Sequence, residues 1–273
     1  MYANPATADN LASLGARGVL VWGPGEGDQA CGDVGPGRML EPEQLQRQVI
    51  ELFSPGKLNG VSVLLTAGPT REAIDPVRFI SNRSSGKMGY ALARSLRDAG
   101  ARVTLVSGPV ALTPPPGVDL IAVESADDMY DAVMAHASGH DIFVACAAVS
   151  DYRVEAVAEH KIKKSGDALT LELTPNRDIL ASVSALESRP FCVGFAAETE
   201  QVETYALGKL EKKKLDMIAA NQVGTDASGF EIDFNQLEVF WPGGHQRIAR
   251  ASKPEIAKRL TDLIAERYTT GRS

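Results

Sequence analysis

The sequence is poor in cysteine and lacks the patterns that several classes of protein require. Its three cysteines, Cys31, Cys146 and Cys192, are too few and too scattered for a disulfide framework or a zinc site. No apolar run reaches the roughly 18 residues of a membrane-spanning helix, and MYANPATADN has no charged leader before an apolar run, so no signal peptide is expected. We therefore expect a protein of the reducing cytoplasm with no membrane partner.

Net positive charge is also missing. The chain has 28 Lys and Arg residues against 35 Asp and Glu residues, which gives a formal net charge of −7. Nonspecific binding of nucleic acid needs a broad basic surface, so we expect no nucleic-acid partner. An acidic chain can still contain a small basic pocket.

The chain changes character after its first 60 residues. Short helical patterns at 10–17 and 42–53 flank GPGEGDQACGDVGPGRM, which has the composition of a loop. Beyond them, apolar strands alternate with amphipathic helices, as in a parallel, doubly wound sheet. We predict an α/β, Rossmann-like, mostly parallel sheet over residues 61–273, with a C-terminal hairpin around 242–244 and a terminal helix.

Ligands of such sheets bind beyond the carboxyl ends of the strands. Four strand-end segments are therefore of interest: TAGPTREAIDPVRFISNRSSGKMG, CAAVSDY with the following KIKK, FAAET and AAN. Residues 84–89 (SSGKMG) open a helix, whose bare amides, positive dipole and glycines suit a phosphate. A serine-capped helix packed on the sheet is the alternative interpretation. After KIKK, the alternating Leu169, Leu171 and Leu173 predict a strand.

Two common nucleotide motifs do not fit. A Walker A loop would need Gly where Ser81 stands and Ser or Thr where Met88 stands. A dinucleotide fingerprint needs a glycine-rich turn directly after the strand, whereas about twenty residues separate Gly68 from Gly89. These absences weaken the case for NAD.

Basic residues gather at the predicted strand ends. They are Arg71, Arg78, Arg83, Lys87, Lys161, Lys163, Lys164, Lys209, Lys212, Lys213 and Lys214. Any one of these lysines has an alternative interpretation as a solvated helix-end charge. Their common placement favours a site for a polyphosphate and a second anion. The four histidines lack metal-ligand spacing and a neighbouring nucleophile, so we interpret them as surface residues.

Taken together, these motifs resemble phosphopantothenate–cysteine ligase. More specifically, residues 61–268 resemble the ligase half of the bacterial bifunctional phosphopantothenoylcysteine decarboxylase/phosphopantothenate–cysteine ligase. The resemblance implies a homodimeric Rossmann-like domain that uses CTP and Mg²⁺ in coenzyme A biosynthesis. It implies that 4′-phosphopantothenate, cysteine and CTP give 4′-phosphopantothenoyl-cysteine, CMP and pyrophosphate.

The first segment is similar to the end of the decarboxylase half. NPAT and ACGDVGPGRM carry that similarity, and Cys31 matches the decarboxylase proton donor. The flavin-binding body has no counterpart in this sequence. We therefore expect residues 1–60 to be a partly disordered remnant and linker, with no decarboxylase activity and no FMN, ahead of a ligase domain at 61–273.

The resemblance also implies site residues, with Asn82 and Lys161 as the catalytic pair. Phosphopantothenate would contact Asn82, Ala147, Ala148 and Asp151, with Arg78 of the partner subunit. The nucleotide would contact Gly68, Ser84, Gly86, Lys87, Gly89, Ala145, Cys146, Ala147, Asp151, Lys161, Arg177, Asp178, Ile179, Leu180, Phe195, Lys209, Lys213 and Asn221. The protein ligands of Mg²⁺ are left open.

Two other functions stay open beside the ligase. An NAD(P)-dependent oxidoreductase would share the Rossmann core, although the fingerprint glycines are missing. A noncatalytic nucleotide-binding module would bind CTP without forming pyrophosphate. The choice of CTP over ATP rests on the resemblance alone.

Overall fold

The protein was analysed as a computed structural model that describes residues 2, 4–28, 34–53, 56–164, 166, 168–198, 201–222 and 233–271. Two compact units divide it, Met1–Pro55 and Gly56–Ser273. Across the described ranges, none of the helices has the length and apolar character that crossing a bilayer demands.

The first unit contains two helices and a hairpin. They are α1 (Pro5–Ala16), β1 (Gly25–Asp28), β2 (Val34–Arg38) and α2 (Pro42–Phe53). The helix expected at 10–17 begins earlier, because Pro5 occupies its first turn and the Asn4 side chain accepts a hydrogen bond from the Ala6 amide at 2.9 Å.

The hairpin corrects an expectation, because this Gly- and Pro-rich stretch was predicted to be a loop. Strands β1 and β2 pair antiparallel, with Pro36 opposite Glu26. In a two-stranded sheet each strand is an edge strand, which is where a sheet tolerates proline. Cys31 lies outside the described residues.

The second unit alternates strands and helices. Its strands are β3 (Ser62–Ala67), β4 (Arg71–Ala73), β5 (Phe79–Ser81), β6 (Arg102–Ser107), β7 (Asp119–Ala122), β8 (Ile142–Ala145), β9 (Tyr152–Val154), β10 (Leu173–Pro175), β11 (Phe191–Glu198), β12 (Met217–Gln222), β13 (Phe234–Trp241) and β14 (Gly244–Ser252). Its helices are α3 (Lys87–Asp98), α4 (Ala126–His136, extended by a 3₁₀ turn at Ala137–Gly139), α5 (Ile179–Ser184), α6 (Val202–Lys212) and α7 (Lys253–Thr270).

Eight of the strands form one central sheet in the order β14-β13-β12-β11-β8-β3-β6-β7. The six strands from β12 to β7 are parallel, and the hairpin β13–β14 adds two antiparallel strands. This confirms the predicted Rossmann-like sheet with a C-terminal hairpin. From β3 the chain moves outward to β6 and β7 and then returns to β8, so the switch point lies between β3 and β8.

Helices cover both faces of the central sheet. Val63 and Leu65 of β3 share one apolar cluster with residues of α3 and α7, whereas Leu64 belongs to a second cluster with residues of α4, α5 and α6. Successive side chains of a strand point to opposite faces, so β3 is buried on both sides. Such burial fixes the end of β3 and leaves the following loop at the rim.

The strand expected from the leucine alternation at 169–173 is wrong in its extent. Only Leu173–Pro175 forms a strand, which pairs with the three residues of β9. Leu169 and Leu173 are exposed. The leucine alternation therefore marks no buried face, and the strand is only as long as the three residues of β9 with which it pairs.

Candidate functional site

The first turn of α3 is open at the switch point. Its N-cap is Gly86, at φ +73°, and no side chain caps it. A side chain at Gly86 would meet Val110 at 2.7 Å, so the left-handed cap needs glycine for space as well as conformation. The alternative interpretation, a helix capped by a serine side chain, is therefore wrong for α3. The backbone amides of its first turn have no side-chain cap and suit an anion.

Gly89 brings α3 close to the end of β3. A Cβ atom at Gly89 would lie 2.4 Å from the Cβ of Ala67. The helix therefore starts directly beside the carboxyl end of β3. This contact places the open amides at the rim of the sheet, where the strand order reverses.

A cavity of about 380 Å³, here called the strand-end cavity, lies at this rim. It gathers twelve of the residues that sequence analysis proposed for the site: Asn82, Ser84, Gly86, Lys87, Gly89, Cys146, Ala147, Ala148, Asp151, Phe195, Lys209 and Asn221. They come from the segment after β5, the first turn of α3, the loop after β8, the strands β11 and β12, and α6. One cavity thus contains an open helix end, cations and small residues that let a ligand approach.

Asn82 joins two walls of the strand-end cavity. Its Nδ2 donates to the carbonyls of Ala148 and Val149 at 3.2 and 3.0 Å. A threonine hydroxyl also holds the loop after β8, because Thr66 Oγ1 accepts a hydrogen bond from the Ala147 amide at 3.2 Å. Residues 147–149 are therefore positioned before any ligand binds.

Lysine and aspartate charges meet at one end of the strand-end cavity. Lys87 Nζ lies 2.6 Å from Asp233 Oδ1. The Lys87 hydrogen bond holds the pKa of the Asp233 carboxyl below its usual range. Lys253 is 5% exposed, and burial, with the Lys87 charge next, lowers the pKa of its ammonium.

Lys253 and Asn235 also line the cavity, and the sequence patterns did not predict them. Asn235 is buried in β13, and Lys253 is the first residue of α7. One signal was available for Lys253. A cation in the first turn of a helix opposes the helix dipole, so its presence there calls for another explanation.

Nine predicted residues do not line the strand-end cavity: Gly68, Arg78, Ala145, Lys161, Arg177, Asp178, Ile179, Leu180 and Lys213. Arg177 lies 3.7 Å over the Tyr130 ring and pairs with Asp127 and Asp131 of α4. Asp178 caps α5 and lies 2.7 Å from Lys213. Their predicted roles toward a nucleotide stay predictions.

Arg78 anchors the segment that carries Lys161. Its Nη2 lies 2.5 Å from the buried Asp75 carboxylate and donates to the Ile162 carbonyl at 3.1 Å. Asp75 Oδ2 also accepts from the Ile162 amide at 3.1 Å. The Arg78 hydrogen bond keeps the pKa of Asp75 well below its usual range, so the anchor is charged at neutral pH.

The two cysteines within the described ranges are not nucleophiles. Burial raises the pKa of Cys146 to about 12 and that of Cys192 to about 11, so both are neutral thiols. Cys192 is fully buried, whereas Cys146 is partly buried in the wall of the strand-end cavity.

A larger cavity of about 830 Å³ lies along α3 and α7 and is here called the helix-side cavity. Lys87, Asp233 and Lys253 do belong to its lining. The residues of β11, of β12 and of the loop after β8 that line the strand-end cavity do not. Because the switch point and the convergent polar groups belong to the smaller cavity, we take that one as the candidate site.

Residues 58–268 match the family model of the DNA/pantothenate metabolism flavoprotein C-terminal domain. The chain is 55% identical over 269 residues to "Coenzyme A biosynthesis bifunctional protein CoaBC" of Vibrio parahaemolyticus, covering 97% of this chain and 67% of that protein. It is 49% identical over 273 residues to the protein of the same name from Escherichia coli, covering 98% and 67%. The chain thus spans about two thirds of the length of these relatives.

A solved structure of the C-terminal domain of a CoaBC protein is also similar. It is 40% identical, has a TM-score of 0.66, and the similarity covers 77% of this chain and 97% of that one. The structure of a Streptococcus pneumoniae DNA/pantothenate metabolism flavoprotein, 23% identical with a TM-score of 0.66 over 76% and 99% of the chains, shares the fold. The chain therefore belongs to the family of the DNA/pantothenate metabolism flavoprotein C-terminal domain, which confirms the resemblance found in its motifs.

Proposed function

We propose that this protein is a phosphopantothenate–cysteine ligase of coenzyme A biosynthesis that uses CTP. The observation that carries the proposal is that the open α3 N-terminus, Lys87 and the Asn82-bridged loop share one cavity at the switch point. Its relatives named for coenzyme A biosynthesis support the same conclusion.

The chemistry has two steps. A free carboxylate is a poor acyl donor, so an oxygen of the phosphopantothenate carboxylate attacks the α-phosphorus of CTP, and pyrophosphate leaves. The cysteine amine then attacks the carbonyl carbon of the acyl-cytidylate, loses a proton and displaces CMP. Because both first-step reactants are anions, charge neutralisation and positioning supply most of the catalysis.

The residues of the strand-end cavity divide between the two anions. The α3 amides and Lys87 suit the triphosphate, because an open helix end and an ammonium both favour negative charge. Asn82, Ala147, Ala148 and Asp151 suit phosphopantothenate beside it. Lys161 is placed by the Asp75–Arg78 anchor and is proposed to reach the activated centre from its exposed segment.

Mg²⁺ fits this site as a companion of the nucleotide. Within the ranges that the structure describes, no three His, Cys, Asp or Glu side chains form a metal cluster. Mg²⁺ commonly keeps several waters and binds through substrate phosphates, and when bound it neutralises their charge. One buried protein oxygen at the cavity, Asn221 Oδ1, has no hydrogen-bond partner and could accept from such a water.

The assembly and its surroundings remain proposals as well. We propose a cytoplasmic homodimer in which Arg78 of the partner subunit contacts phosphopantothenate. In the present chain the Arg78 side chain is 42% exposed, so part of it is available for such a contact. No FMN is needed for the proposed reaction.

The test is pyrophosphate release, measured with CTP, Mg²⁺, phosphopantothenate and cysteine, each omitted in turn. We expect release to depend on CTP and phosphopantothenate, and kcat/KM for CTP to exceed that for ATP. CTP binding without pyrophosphate formation would identify a noncatalytic module instead. A fluorescence titration that showed tight NAD(P)H binding would favour the oxidoreductase.

The Asn82→Asp variant is expected to lower kcat/KM for phosphopantothenate about tenfold, equivalent to roughly 1.4 kcal/mol. Aspartate cannot donate to the carbonyls of Ala148 and Val149, and it adds negative charge beside an anionic substrate. The measurement is steady-state kinetics with phosphopantothenate as the varied substrate.

Asn176→Asp is the matched control. Asn176 Nδ2 holds the same loop through the Ser150 carbonyl at 2.9 Å, but Asn176 does not line the strand-end cavity. It should change kcat/KM little. Equal losses in both variants would mean that loop support, and no contact with substrate, explains the role of Asn82.

A further inference from the structure

Three charged residues from distant parts of the sequence meet between the two cavities. Lys87 begins α3, Lys253 begins α7, and Asp233 lies just before β13. All three line the helix-side cavity, and the two lysines also line the strand-end cavity. The strand-end cavity therefore has two neighbouring lysines in its lining.

The position of Lys253 is fixed by its backbone. Its amide donates to the Asp233 carbonyl at 2.9 Å, and Phe234 pairs with Ser252 across β13 and β14. Ser252 Oγ caps α7 by accepting from the Glu255 amide at 3.4 Å. The residue is 5% exposed, so its side chain is largely withdrawn from water.

A buried ammonium beside another ammonium is unfavourable unless an anion is near. The structure provides one, because Asp233 Oδ1 lies 2.6 Å from Lys87 Nζ and interacts electrostatically with Lys253. The Asp233 side chain is 74% exposed. A carboxylate that is so exposed can leave this place at little cost.

We propose that Lys253 is a second phosphate-binding lysine of the strand-end cavity and that Asp233, from the helix-side cavity, neutralises the two lysines while no ligand is bound. This inference rests on the proposed function for the identity of its ligand, the triphosphate end of a nucleotide. On binding, a phosphate that carries more charge replaces the Asp233 carboxylate as the counter-ion of the two lysines. The wall then stabilises the pyrophosphate that leaves in the first step.

The two residues should have opposite effects on binding. Lys253→Met keeps the length of the side chain and removes its charge, so affinity for pyrophosphate and tripolyphosphate should fall about tenfold. Asp233→Asn removes the competing carboxylate, so affinity should rise about threefold. Isothermal titration calorimetry with the sodium salts of both anions measures each constant, and the KM for CTP should shift in the same direction with a smaller change in kcat.

Lys258→Met is the matched control, because Lys258 is an exposed lysine of α7 that lines only the helix-side cavity. Its polyphosphate affinity should stay within twofold of the parent protein. Unchanged affinity in Lys253→Met, or a loss equal to that of Lys258→Met, would overturn the proposal. Should Lys253→Met not fold, Asp233→Asn decides alone, and unchanged or weaker binding there overturns it.

These measurements separate this inference from the proposed ligase function. Polyphosphate binding requires no turnover. Binding that depends on Lys253 without pyrophosphate release from CTP would therefore contradict the proposed ligase function and support the role of Lys253. Normal ligase turnover, with a polyphosphate affinity that does not depend on Lys253, would support the ligase function and contradict the role of Lys253.

Discussion

Replacing Lys87 by methionine is expected to weaken CTP binding about a hundredfold, equivalent to roughly 2.7 kcal/mol. Lys87 is the only cation in the first turn of α3, and it lines the same cavity as the open amides. The variant also leaves the Asp233 carboxylate without its 2.6 Å partner, and this carboxylate then repels the incoming triphosphate. Calorimetric titration with CTP, in the absence of phosphopantothenate, measures the effect.

Arg94→Met is the control for a general loss of positive charge. Arg94 is exposed on the same helix and lines only the helix-side cavity. Its variant should bind CTP within about twofold of the parent protein, because exposed charges are screened by solvent and salt. If both variants lost affinity equally, the phosphate site would not lie at the start of α3.

The Gly89→Ala variant is expected to lower the free energy of unfolding by about 2 kcal/mol. The new methyl group would meet the Cβ of Ala67 at 2.4 Å, and Ala67 is a buried β3 residue whose Cβ cannot rotate away. Relief therefore requires α3 to move off the sheet. For a unit of this size the melting temperature should fall by roughly 4–8 °C, and CTP binding should weaken because the open amides move with the helix.

Gly208→Ala is the matched control, because it adds the same methyl group at a helix position that has open space around it. Gly208 lies in α6, and a Cβ atom added there meets nothing within 4 Å. Alanine is the better helix former by about 1 kcal/mol, so this variant should melt a few degrees higher than the parent protein. Scanning calorimetry that showed both variants shifted in the same direction would contradict the close packing of α3 on β3.

Local patterns predicted much of the fold because each is a short-range property. The strand that became β3 has an apolar centre and is buried along its whole length, since both of its faces are covered. The helix over 42–53 and the turn at 242–243 follow from periodicity and turn residues. The leucine alternation at 169–173 predicted too long a strand, because a strand forms only where a neighbouring strand is available for pairing.

The strand-end cavity was predictable only in part. Gly86, Lys87 and Asn82 lie in one continuous motif after one strand, so their sequence shows both their chemistry and their neighbourhood. Lys253 and Asn235 come from the hairpin and helix at the other end of the chain, and no local pattern links them to that motif. A cation in the first turn of α7 was the only signal.

The order of residues by itself determined the alternation of strands and helices, the rim proposed for ligand binding and the family to which the chain belongs. Those properties depend on apolar periodicity and on contiguous motifs. The tertiary structure alone decided that Lys87, Lys253 and Asp233 meet, because their separation in sequence is closed by the pairing of β13 with β14 and the packing of α3 beside α7. Coulombic interaction depends on distance in space, and the fold sets that distance.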